Sequence, residues 1–112
     1  MDYVFERKWQ ETVKDVSEQY GEDLDLQTIL FLIGVQELGL GYKKFKKDEK
    51  IDLMHIAICT LLEPYGYFEY EGRDKDSWPH FTRNQKLPAL DSSQQERLIK
   101  EAVIEYFSGE EV

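Results

Sequence analysis

Residues 26–41 read LQTILFLIGVQELGLG, and this stretch decides the fold. Leu26, Ile29, Leu30, Phe31, Leu32, Ile33, Val35 and Leu38 leave little polar surface on any side of a helix, the pattern of a central helix rather than one lying on a surface. Asp23 or Asp25 is placed to cap its start, and Gly39 and Gly41 end it. Gly34 interrupts the apolar run. Glycine within a helix costs about 1 kcal/mol relative to alanine, so its presence predicts a close helix contact rather than a hinge.

On the N-terminal side, Phe5, Trp9, Val13, Val16 and Tyr20 recur at steps of four, four, three and four, which makes one apolar stripe on a helix that Gly21 stops. On the C-terminal side a lysine-rich loop leads into a third helix from about Asp48 to Glu63, closed by Pro64 and Gly66. Its wheel places Ile51, Met54, Ala57, Ile58, Leu61 and Leu62 on a broad apolar face that Leu53 and Ile56 extend. A fourth helix begins in DSSQQE, where Ser93 followed by Glu96 matches a capping box, and runs through Leu98, Ile99, Ala102, Val103, Tyr106 and Phe107 to an end at Gly109.

Between the third and fourth helices lies YGYFEYEGRDKDSWPHF, residues 65–81, where rings, both signs of charge and turn residues crowd together. Tyr67, Glu69 and Glu71 alternate with Phe68 and Tyr70, Gly72 to Ser77 supplies turn chemistry, and Trp78 to Thr82 can return as a second strand that Pro79 confines to an edge. An isolated hairpin is barely stable in water, so Phe68, Tyr70, Trp78 or Phe81 must rest on the helices. The expected fold is mainly α: one four-helix domain over residues 1–112, with a short β-hairpin-like insert at about 65–90 before the last helix.

FLIGVQELG, followed by LMHIAICTLLEPYGYFEYEGRDKDSWPHF, resembles a family of short bacterial proteins without an established activity. The resemblance covers about the middle half of the chain. It implies a bacterial cytosolic protein and assigns no functional residue.

The 112 residues suit one core, and 14 Lys and Arg against 23 Asp and Glu give a net charge of −9. That field repels phosphate backbones and anionic lipid, so neither nucleic acid nor a membrane surface is an expected partner. The exception is local: Lys43, Lys44, Lys46, Lys47 and Lys50, read as a solvated loop running into a helix. The apolar run from Ile29 to Val35 is far short of the ~20 residues of a membrane span. The opening MDYVFERKWQ lacks the pattern of a secretory signal, and the lone Cys59 suits a reducing compartment, so a cytoplasmic protein is expected.

Three constellations could carry chemistry. Asp52, His55, Cys59 and Glu63 share a sector of the third helix, and His55 and Cys59 at a spacing of four can reach one metal ion. Two ligands do not make a zinc site, and the sector reads as a solvent stripe. Asp74 and Asp76 imitate the opening of a calcium loop, but the sixth position is Pro79 and the twelfth Gln85, where glycine and an acid are needed. The third constellation is the insert itself. Tyr, Trp and Arg are enriched at binding hot spots, so Tyr67, Arg73, Asp74, Asp76, Trp78 and His80 are the candidate partner-binding residues.

Two function classes follow. The first is a non-enzymatic interaction module that binds a protein partner, a second copy of the chain included, with no cofactor. The alternative is a small metal-dependent or hydrolytic enzyme using His55, Cys59, His80 and the insert carboxylates. No catalytic, phosphate-loop or cofactor motif favours the second.

Overall fold

The computed structural model describes residues 2–41, 43–84 and 88–108. Among these are four helices, α1 (Tyr3–Tyr20), α2 (Leu26–Leu38), α3 (Lys47–Leu62) and α4 (Ser92–Ser108). An antiparallel hairpin, β1 (Phe68–Arg73) and β2 (Pro79–Arg83), precedes the last helix. The expected end at Gly109 lies outside the described residues. No described helix is long and apolar enough to cross a membrane. The chain forms two compact units, one drawn from its two ends, up to Leu26 and from Leu90, the other from Gln27–Ala89.

In the unit of the two ends, α1 and α4 run parallel. Asp2 meets Arg97 at 2.8 Å, the Arg97 guanidinium covers the Phe5 ring at 4.3 Å, and the Lys100 ammonium lies 5.3 Å from the Trp9 ring. Residue numbers thus rise together along both helices. Asp2 also caps α1, accepting from the Phe5 N–H at 3.1 Å, and Gly21 ends it at φ 80°. For α4 the expected capping box shifts two residues earlier. Asp91 Oδ1 accepts from the Gln94 N–H at 2.8 Å, and Gln94 Oε1 accepts from the Asp91 N–H at 3.0 Å. Asp91–Gln94 satisfies the same spacing as Ser93–Glu96, and the carboxylate occupies the cap position first.

In the other unit, α2 and α3 meet at Gly34. An added Cβ there would fall into the carbonyl oxygen of Leu53 and stand 2.7 Å from its carbonyl carbon and 3.0 Å from its Cβ. The expected close contact is therefore present, and its partner is backbone. It sets the buried face of α3, where Leu53, Ile56, Ala57, Cys59, Leu61 and Leu62 are buried while Ile51 remains 57% exposed. The wheel expectation is corrected here: the face turns toward Leu53 and Ile56, because the contact with Gly34 fixes the rotation of α3 where hydropathy alone leaves it open.

The hairpin docks on α3. Leu38, Phe45, Leu53 and Ile56 form a core cluster against which Phe31, Val35, Trp78 and Phe81 pack. The strand register pairs Phe68 with Arg83, Tyr70 with Phe81, Gly72 with His80 and Arg73 with Pro79. Glu71 is thus an extra residue on β1, a bulge. Beyond it the alternation of faces changes phase, and Arg73 comes to the same face as Tyr70, Phe81 and the buried Pro79. From there its guanidinium donates to the carbonyls of Glu37 and Leu38, each at 2.7 Å. Two carbonyls at the end of α2, which no helical N–H can reach, are satisfied by a side chain 35 and 36 residues away.

Replacing Gly34 by Ala should lower the unfolding free energy. Overpacking against a backbone that cannot swing aside costs roughly 3 kcal/mol, and the better helix propensity of alanine returns about 1 kcal/mol. Urea denaturation should show a net loss of about 2 kcal/mol from these two terms. Unchanged or increased stability would mean that the two helices do not approach at this point.

Candidate functional site

The turn of the hairpin is organised by one carboxylate. Asp74 Oδ1 accepts from the backbone N–H groups of Asp76 at 2.8 Å and Trp78 at 3.1 Å, and Oδ2 accepts from His80 Nε2–H at 2.8 Å. The turn closes through the Ser77 N–H to the Asp74 carbonyl, with Ser77 at φ 69°, and through the Asp74 N–H to the Trp78 carbonyl. Arg73 Nη1 additionally donates to the Ser77 carbonyl at 2.7 Å. The His80 imidazole and the Trp78 N–H hold the Asp74 carboxyl below the usual carboxylate range. Because the carboxylate accepts at Nε2, the other imidazole nitrogen of His80 is left to face solvent or a ligand. The two side chains are 61% and 37% exposed, so their pairing arranges the turn more than it stabilises the fold.

A second pair lies on α3. Cys59 Sγ stands 3.5 Å from His55 Nε2, one helical turn away. Burial pushes the Cys59 thiol up to about 11, so it keeps its proton at neutral pH. The expectation of a solvent stripe is met by the exposed Asp52, His55 and Glu63 and fails for Cys59, which is 1% exposed.

These two pairs line one cleft of about 480 Å³. Its α3 wall carries Glu49, Asp52, His55 and Cys59, and its hairpin wall carries Asp74, Asp76 and His80. Ile56, Trp78, Pro79 and Phe81 supply the apolar surface. The wall on α3 is fixed by the crossing at Leu53, and that on the hairpin by Trp78 and Phe81 in the core and by Arg73 at the end of α2. A hollow of about 680 Å³ along α1 and the segment after it is lined by Trp9, Val13 and Leu24 together with Lys14, Glu18, Glu22 and Asp23, and among its described lining residues there is no histidine or cysteine.

Of the candidate residues, Asp74, Asp76, Trp78 and His80 meet in the cleft. Arg73 is committed to three backbone carbonyls, and Tyr67 stacks on Tyr65 at 6.1 Å between ring centroids. Glu49, Asp52, His55 and Cys59 join the site from α3. The sequence grouped Asp52, His55 and Cys59 in one helical sector and, in the enzyme alternative, set His55 and Cys59 beside His80 and the insert carboxylates; Glu49 was missed. Among the described residues, no group of three or more His, Cys, Asp or Glu could hold a metal ion. No family model, curated protein or solved structure matches this chain.

Asp74 has a depressed pKa in the folded chain, so its contribution to the turn is complete above the ordinary carboxylate value of about 3.9 and is lost as pH falls through the lower folded value. The amide proton resonances of Asp76 and Trp78 should therefore titrate together with a midpoint below that of an ordinary carboxylate. Asp74→Asn should abolish the titration. A midpoint at the ordinary value would show that the carboxylate does not hold the turn.

Proposed function

We propose that this chain is a protein-interaction module without catalytic activity of its own, and that the cleft between α3 and the hairpin is where the partner binds. The observation that carries the reading is the cleft itself, in which four of the six hairpin residues with partner-binding character meet an α3 wall over an aromatic and aliphatic floor. Trp78 serves both purposes: it packs against the core and leaves part of its ring on the cleft surface. The net charge of −9 argues against nucleic acid as the partner. The thiol of Cys59, kept protonated by burial, is compatible with work in the cytoplasm, and the resemblance to short bacterial proteins suggests a bacterial one.

The second reading, a small hydrolytic or metal-dependent enzyme, draws on the sharing of one cleft by His55, Cys59, His80 and Asp74. Against it stands the thiol itself, which near 11 is a poor nucleophile at neutral pH.

Capture of partners from the source organism tests the reading. His55→Trp fills the cleft from an exposed position, and Lys14→Trp places the same ring at an exposed position on α1. A specific partner should be held about tenfold or more weaker by His55→Trp and equally well by Lys14→Trp. Retention by both variants would move the site off the cleft, and recovery of no partner, a second copy included, would defeat the interaction reading.

A further inference from the structure

Glu49 and Asp52 on α3 and Asp74 and Asp76 on the hairpin contribute carboxylates to the cleft beside His55 and His80, and among the described residues no lysine or arginine lines it. Their availability differs. Asp74 is occupied by the turn and by His80, and Glu49 Oε1 accepts from the Lys46 N–H at 2.8 Å at the start of α3. Among the described residues, the carboxylates of Asp52 and Asp76 engage no donor, and both are exposed. One unengaged acceptor therefore stands on each wall, and the Trp78 ring lies in the lining with them.

Resting on the reading above, we propose that the partner inserts a cationic side chain, lysine or arginine, from an exposed segment into this cleft. The head group is held between Asp52 and Asp76, and its aliphatic stem lies on Trp78 and Ile56. Three features match that chemistry. Carboxylates on two walls address a group with several donors, which a guanidinium or an ammonium has and a carboxylate or phosphate lacks. An aromatic face beside them attracts a cation and covers an alkyl stem. The net charge of −9 draws a basic segment toward the protein from outside contact distance. The cleft volume of about 480 Å³ has room for such a side chain and for parts of the residues beside it. The same net charge disfavours a second copy of this acidic chain as the occupant, although Lys43, Lys44, Lys46, Lys47 and Lys50 are exposed.

The test uses the full chain and blocked synthetic peptides of alternating leucine and arginine, with glutamate in place of arginine as control. The arginine peptide should move the Trp78 indole and the Asp52 and Asp76 amide resonances, and added salt should weaken it. Asp52→Lys and Asp76→Lys should each weaken it about tenfold or more. Asp15→Lys alters the net charge equally without touching the cleft and should have a small effect. An equal loss in Asp15→Lys would reduce the effect to the overall field and overturn the proposal, as would equal binding of the glutamate peptide. The same resonances moving with protein concentration, in the absence of peptide, would replace the cationic partner by a second copy. If the arginine peptide leaves the cleft untouched while a captured partner is still lost in His55→Trp, the cationic assignment fails and the interaction reading stands. If both are negative, the two fall together.

Discussion

The contact between Gly34 and the backbone of Leu53 is the constraint on which the rest of the Gln27–Ala89 unit depends. Side chains normally keep helix axes 8–10 Å apart, and removing one allows the backbone of α3 to lie where a methyl group would have been. That choice fixes the rotation of α3. With Leu53 turned inward, Ile56 and Cys59 are buried beside it, while Asp52 and His55 are exposed along the edge that the hairpin faces. The hairpin then needs anchors. Trp78 and Phe81 supply them in the core, and the bulge at Glu71 turns Arg73 to cap α2. The cleft is what remains between two elements fixed in this way.

The chemistry of the cleft follows from how its polar groups are used. Asp74 is consumed in shaping the turn, and in return it orients His80. Cys59 and His55 are coupled to each other across one helical turn, with the thiol held neutral by burial. Burial raises the Cys59 thiol, the opposite of the lowered pKa that marks an activated thiol. Asp52 and Asp76 are different, because they take no part in holding the fold. Groups without structural duty at the rim of an apolar concavity are those a binding surface can use without loss of stability.

Much of the architecture was legible from local signals. Helical periodicity, the stop at Gly21, the close contact at Gly34 and the turn residues between Gly72 and Ser77 all act within a few residues of where they are read. The rotation of α3 was not legible, because Ile51 and Leu53 are equally apolar and only the position of Gly34 on another helix distinguishes them. Arg73 looked like a contact residue for a related reason. Its partners lie 35 and 36 residues earlier, and a one-residue bulge decides which face it occupies. Half of the cleft was visible as the insert, and the other half as a helical sector. Their convergence is a tertiary fact that spacing along either segment does not contain.

The account turns on the hairpin being held against α3, since a detached hairpin leaves no cleft. Nuclear Overhauser contacts from the Trp78 ring measure this directly in the full chain. They should reach the methyl groups of the cluster formed by Leu38, Leu53 and Ile56, with those methyls shifted by the ring current. A Trp78 ring with solvent-like shifts and no contact to any of these methyls would contradict the account.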